Sequence, residues 1–184
     1  MKRLLLPLLL AGTVIAAAAA PARRPNVLFI LADDLGWGDL GCYGNTFLRT
    51  PNLDRLAAEG TLFTQFYTAG PVCSPSRAGF FTARYPGRHR IHGHYSTRDM
   101  NEARGMSNWL DPRAPNAATA FRAAGYATAH IGKWHLGNDA GGPAVAEYGF
   151  DFVGSGEGGG AGIKKDDPFY RARSTALFVD EALR

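Results

Sequence analysis

Apolar and polar positions alternate along this chain in blocks, and the blocks predict strands alternating with helices. Residues 26–32 are almost continuously apolar and end on Asp33-Asp34, the pattern of a central strand buried on both faces. A glycine-rich loop follows over 36–44. Thr50-Pro51 then supplies an N-cap and a first helical position, Leu53, Leu56 and Ala57 make an apolar stripe, and Gly60 supplies a stop. Residues 61–67 are β-branched and aromatic and predict a second strand. A short helix is predicted over 74–82, with Cys73 at its N-terminal edge. Further on the pattern predicts a helix over 116–124 stopped by Gly125, a strand over 126–131, and a short strand over 147–153. A glycine loop over 154–160 and a helix over 173–184 complete the order. Such alternation implies βαβ units: an α/β fold with a mostly parallel central sheet and helices on both faces.

Composition narrows this picture. The chain has 184 residues, 46% hydrophobic and 20% charged, which is the make-up of a globular domain rather than a disordered one. Its two cysteines are too few for a disulfide scaffold, and a Cys42–Cys73 bridge is a minor alternative for an oxidising compartment. Residues 1–22 read as a signal peptide: Lys2 and Arg3, an apolar run from Leu4 to Ala20, then the small-residue cleavage site Ala20-Pro21-Ala22. The expectation is therefore an exported protein, periplasmic or secreted, with no stable membrane anchor after cleavage. Losing Lys2 and Arg3 lowers the basic count from 20 to 18 against 16 acidic residues, so overall charge is no argument for nucleic-acid binding. A local basic cluster does stand out: Arg84, Arg88, His89, Arg90, His92, His94 and Arg98. It is either a solvated loop or a rim that attracts anions.

Chemistry collects in three segments at or just after predicted strand ends or at a helix start, where open α/β sheets bind ligands. Asp33-Asp34 places two carboxylates together; in a low-dielectric setting they need a cation, and hard oxygen donors suit Ca²⁺ or Mg²⁺. Alone, the dipeptide is more often a solvated turn. In Cys73-Ser74-Pro75-Ser76-Arg77, a helix starting beside Cys73 puts Arg77 one turn later on roughly the same side, next to free backbone N–H groups. Three residues separate Cys from Arg where a phosphatase cysteine loop needs five, which excludes that reading. In Gly132-Lys133-Trp134-His135-Leu136-Gly137, an extended backbone would point Lys133 and His135 the same way with Trp134 packed opposite, a cation beside a proton-transfer group.

Together these segments closely resemble the type I sulfatases of the alkaline phosphatase superfamily. The resemblance runs through Arg24 to Asp39, Thr50-Pro-Asn-Leu-Asp54, Cys73-Ser-Pro-Ser-Arg77 and Gly132-Lys-Trp-His-Leu-Gly137, in the family's order. It implies an alkaline phosphatase-like sulfatase fold acting on a sulfate ester substrate. It also implies that a formylglycine-generating maturation enzyme converts Cys73 to formylglycine, whose hydrate attacks sulfur and later expels sulfate by collapsing to the aldehyde. Asp33, Asp34 and the residue 73 oxygen would be Ca²⁺ ligands, with Mg²⁺ an alternative. Arg77 would steady the hydrate, Lys133 would contact sulfate, and His135 would orient or deprotonate a hydroxyl.

The family's downstream residues, a further metal-binding Asp with Asn or His beside it, another Lys and a second His, have no counterpart in these 184 residues. The reading is thus a truncated sulfatase: a signal peptide over 1–22 and, over 23–184, the N-terminal portion of a catalytic domain, inactive alone. Two other functions stay open: a phosphate or phosphonate monoester hydrolase of the same superfamily, and a non-catalytic secreted sulfate- or polyanion-binding protein. A zinc site from His89, His92 and His94 matches no standard spacing.

Overall fold

The computed structural model describes residues 24–137, 142–154 and 170–183. The segment expected to be a signal peptide, most of the 154–160 loop and the residues just before the last helix lie outside the described residues. Two compact units are present, residues 1–32 and 33–184.

Helices form where the chain carries a written start or stop. Helix α1 runs Pro51–Glu59 with proline at its first position and Gly60 after it. Thr50 sits at the cap position, but its hydroxyl serves a different purpose. It accepts from the Gly41 N–H at 2.8 Å and donates to Asp54 Oδ1 at 2.9 Å, while the Cys42 N–H donates to the same oxygen at 2.7 Å. The glycine loop, which holds 3-10 turns at Trp37–Asp39 and Gly41–Tyr43, is thereby pinned to α1. A side chain at Gly41 would meet the Asp54 carboxylate at 2.6 Å, so only glycine allows this approach. The predicted apolar stripe is not buried: Leu53 and Leu56 are both exposed.

Helix α2 spans Cys73–Thr82 and is the most buried helix, with Ser74, Pro75, Ala78 and Phe81 inside. A 3-10 turn at Pro86–His89 and helix α3 at Arg98–Ala103, capped by Thr97, were not predicted. Helix α4, Ala117–Ala123, starts at a reciprocal cap: Asn116 Oδ1 accepts from the Thr119 N–H at 3.0 Å, and Thr119 Oγ1 accepts from the Asn116 N–H at 3.4 Å. Helix α5 runs Tyr170–Ala182, starting three residues earlier than expected over 173–184.

The sheet is smaller than predicted. Strands β1, Ala129–His130, and β2, Phe152–Val153, pair in parallel with Ala129 opposite Phe152 and His130 opposite Val153. They occupy parts of the predicted 126–131 and 147–153 strands and keep the expected parallel sense. The predicted strands over 26–32 and 61–67 are absent: both segments are irregular, with Ile30 79% and Phe66 74% exposed. An apolar run becomes a central strand only when neighbours bond its edges and cover its faces. Among the described residues β1–β2 is the sole pairing, so these two runs stay unpaired in the sheet sense.

The core lies between α2, α4 and the loops around them. Trp134, 4% exposed, is its hub: Phe81 meets it edge-on at 5.2 Å and Tyr148 at 4.8 Å, while Phe150 stacks on Phe81 at 5.7 Å. Tyr148 donates to the Leu110 carbonyl at 2.7 Å, and the Leu110 N–H donates to the Leu136 carbonyl at 3.0 Å. The backbone on either side of Trp134 is therefore fixed by packing before any chemistry is considered.

Candidate active site

Cys73 opens α2 and is a half-buried free thiol, as is Cys42; no disulfide joins them. Val72, the residue before it, offers no side chain to cap the helix; Pro75 has no N–H and the Ser76 N–H bonds the Val72 carbonyl at 3.1 Å, which leaves the Cys73 and Ser74 N–H groups without a side-chain cap. Ser74 is wholly buried and its hydroxyl accepts from the Tyr95 N–H at 3.0 Å. One turn along from Cys73, Arg77 is 7% exposed. A guanidinium that deep needs an anion, and Asp33 supplies it: Arg77 Nη2 donates to Asp33 Oδ1 at 3.1 Å. Arg77 Nη1 donates to the Lys133 carbonyl, and the buried Nε–H has no protein partner.

Lys133 completes the cluster. Its Nζ donates to Asp33 Oδ2 at 2.6 Å. Residues 33, 77 and 133, separated by most of the chain, thus meet at one carboxylate. Burial pushes the Asp33 carboxyl upward, but the hydrogen bonds and charges of Lys133 and Arg77 outweigh it and hold the group below its ordinary value. The cation that the Asp33-Asp34 pair was expected to require is, at Asp33, provided by side chains.

The segment after Gly132 is not extended. Gly132 and Gly137 have φ of 94° and 113°, and His135 itself has φ 54°. The expected alternation of Lys133 and His135 on one face is therefore replaced by a turn that gives each its own partner. His135 Nε2 lies 3.2 Å from the Tyr95 carbonyl, which can only accept, so this nitrogen carries the proton. Nδ1 is then the basic nitrogen, buried and without a protein partner. Four non-glycine residues among those described have positive φ. Ala83 and Arg90 close helical turns, whereas Asp34 and His135 are candidate site residues held in a conformation that costs about 1–2 kcal/mol.

Tyr95 was missed from the sequence, because its spacing carries no signal. Its N–H binds Ser74, its carbonyl binds His135, and its hydroxyl lies 3.1 Å from Ser107 Oγ. Burial pushes its phenol up to about 12, so it stays neutral.

The donors for a hard divalent ion fit in kind but not in number. Asp33 and Asp34 are suitable oxygens, yet both Asp33 oxygens already accept from cations. Among the described residues no three His, Cys, Asp or Glu side chains are grouped to share an ion, against the six to eight oxygens Ca²⁺ takes. His92, from the histidine-rich stretch, instead bonds the Arg104 carbonyl at 3.0 Å.

Comparison with known proteins gives a consistent result. A family model described as Sulfatase matches residues 25–184. The chain is 52% identical over 134 residues to the steryl-sulfatase of Mus musculus, covering 70% of this chain and 21% of that protein. It is 46% identical over 140 residues to the N-acetylgalactosamine-6-sulfatase of Canis lupus familiaris, covering 74% of this chain and 26% of that one. Among solved structures, a sulfatase from a Pseudoalteromonas species aligns with TM-score 0.56 at 33% identity over 88% of this chain and 31% of its own. The protein Ps i-CgsB, solved with a neocarrahexaose, aligns with TM-score 0.65 at 32% identity over 84% and 33%. The chain thus spans about a quarter of the curated relatives it matches.

Proposed function

The chain belongs to the sulfatase family, with that family's alkaline phosphatase-like α/β fold, and we propose that it is the nucleophile-bearing part of a sulfuric ester hydrolase. The observation that carries this reading is the convergence of Arg77 and Lys133 on Asp33 beside the open N-terminus of α2, which Cys73 heads. Two cations and uncapped helix N–H groups make a pocket for a tetrahedral anion. Cys73, free and half-buried, is accessible to the maturation enzyme that the reading requires. A formylglycine at 73 supplies a hydrated aldehyde as nucleophile in place of a thiol.

The chain's own residues have separate tasks. The Arg77 Nε–H, buried and unpartnered, is a donor aimed at no protein atom and is suited to an oxygen at position 73 or on the ester. Lys133 reaches Asp33 from a part-exposed position and is suited to an ester oxygen once it lets go of that carboxylate. His135 Nδ1 is suited to accept a proton from a hydroxyl, its ring fixed by the Tyr95 carbonyl. Ca²⁺, with Asp33 and Asp34 among its ligands, belongs to this reading for the whole enzyme. The described residues do not complete such a site, so no step here passes through it. In the same reading, residues 1–22 direct export to the periplasm or beyond, and the described residues, which group no three metal-ligating side chains, give no turnover by themselves.

Intact mass of the chain, produced with and without a formylglycine-generating enzyme, tests the assignment. Loss of the Cys73 sulfur and of residues 1–22 is expected; a Cys73 that stays thiol in the presence of that enzyme overturns the maturation claim. The matured chain is then assayed on matched aryl sulfate and aryl phosphate esters with Ca²⁺. No turnover is expected. Sulfate release would reject the incompleteness and uphold the hydrolase, and phosphate release in its place would favour the phosphomonoesterase reading.

A further inference from the structure

A single sulfate monoester carries one negative charge, and Arg77 with Lys133 already answers it. The chain holds many more cations close by. Between residues 84 and 104 there are five arginines, Arg84, Arg88, Arg90, Arg98 and Arg104, against two acids, Asp99 and Glu102. All five arginines are exposed, and among the described residues no carboxylate pairs with any of them. Glu102 is turned instead to the Asn108 amide at 2.9 Å.

Three of these charges, Arg90, Arg98 and Arg104, are tied to the fold, and the backbone that carries the others is laced in place. Arg90 Nη2 donates to the Gly105 carbonyl at 3.1 Å, His92 bonds the Arg104 carbonyl at 3.0 Å, and Arg104 reaches back to the His94 carbonyl at 3.5 Å. Ser107 adds two more ties, from its N–H to the Arg90 carbonyl at 3.2 Å and from its hydroxyl to the His89 carbonyl at 2.9 Å. Residues 89–94 are thus laced to 104–107. Arg98 lies over the Trp109 ring at 5.5 Å. Arg84 and Arg88 are at the start of the segment, and the charge of Arg84, after burial, depresses the neighbouring His89 imidazole. The segment leads directly into the candidate site, because Tyr95 at its middle bonds Ser74 and His135. Fixed like charges without counter-ions are costly unless something anionic lies across them.

We propose that residues 84–104 form an exosite for a sulfated polysaccharide, whose repeated sulfates lie along the arginine rim while one enters the pocket beside Cys73. The choice of a sulfated chain over another polyanion rests on the sulfatase reading; the binding itself does not need catalysis. Outside residues 1–22 the chain carries 18 basic against 16 acidic residues, so its overall charge makes no general case for nucleic-acid binding.

The Cys73→Ala chain, which cannot be matured, is titrated with dextran sulfate, unsulfated dextran and a single-stranded DNA oligonucleotide at two salt concentrations. Three engaged arginines give a loss of affinity for dextran sulfate of about 40-fold between 50 and 200 mM salt, by the counter-ion release relation. Dextran is expected not to bind. In the Arg84→Gln, Arg88→Gln double variant, whose side chains make no fold-defining bonds, the logarithmic salt slope falls by about two. Arg55→Gln, on α1, leaves it unchanged, and melting curves confirm that both variants fold. Equal binding by the double variant and the parent overturns the proposal, as does tighter binding of DNA than of dextran sulfate. The two claims fail separately: an unsubstituted Cys73 that stays thiol in the presence of the maturation enzyme overturns the formylglycine claim and leaves the exosite, whereas a matured Cys73 without rim-dependent binding overturns the exosite alone.

Discussion

At the scale of single residues, the site depends on one carboxylate with two cations. Arg77 is 7% exposed, and Asp33 is its anion. Replacing Asp33 by Asn keeps the shape and removes the charge, leaving a buried guanidinium without a counter-ion. Because the Asp33 side chain is 36% exposed, solvent softens the loss, and a destabilisation of about 1–3 kcal/mol is expected, read from the urea midpoint. No change would show that Arg77 is satisfied by the Lys133 carbonyl alone. Gly137 is a second residue-scale test. It has φ 113°, and a Cβ there would lie 2.1 Å from Trp109 Cβ, which is backbone-anchored and cannot give way. Gly137→Ala is expected to cost about 2–4 kcal/mol from overpacking and left-handed strain together. A variant with the parent's urea midpoint would mean that the 132–137 turn is not held by that contact.

At the scale of elements, four of the five helices and two of the four predicted strands were legible, the strands only in part, for a physical reason. A helix satisfies its own backbone, so local marks such as Thr50-Pro51, Asn116 and Gly125 suffice to place it. A strand needs a partner, and the apolar runs over 26–32 and 61–67 carry no mark of whether one is present. The motifs singled out the segments that carry Asp33, Arg77 and Lys133, and the structure brings these three side chains together. Tyr95 and the left-handed turn at His135 were not legible, since both arise from loops meeting across the core. Asn116 offers a direct test of the local argument: Asn116→Ala removes the reciprocal cap of α4 and is expected to cost about 1 kcal/mol in thermal or urea unfolding. A loss near zero would mean that packing alone sets the helix start. The small sheet has its own pH dependence. Asp151 Oδ2 accepts from the Thr128 N–H at 2.9 Å and hydroxyl at 3.0 Å, and these bonds hold its carboxyl below the ordinary value. Its stabilisation is present above the unfolded carboxyl range and is lost as pH falls through the lower folded value. The difference in melting temperature between parent and Asp151→Asn should therefore be widest above about pH 5 and shrink below about pH 4. A constant difference across that range would assign the effect to shape rather than charge.

At the scale of the whole molecule, each of the two units presents apolar surface to solvent. Leu28 and Ile30 are 75% and 79% exposed in the first, and Phe63, Phe66 and Tyr67 are exposed in the second, where the two phenylalanine rings lie 5.6 Å apart. Such segments combine high strand propensity with apolar side chains turned to solvent, a common setting for chain-to-chain pairing. Self-association that rises with protein concentration is therefore expected in sedimentation velocity. The 61–67 segment gives the sharper test, because it can be altered without touching the core. Phe63→Ser with Phe66→Ser removes two large exposed side chains whose rings lie 5.6 Å apart and which lie outside the buried core. The variant should sediment closer to a monomer while its unfolding free energy stays within about 0.5 kcal/mol of the parent, as for other exposed positions. Undiminished association would move the sticky surface elsewhere, to the first unit, where the same change at Leu28 and Ile30 would have to relieve it. A large loss of stability would instead mean that Phe63 and Phe66 belong to the core in solution, contrary to their exposure here.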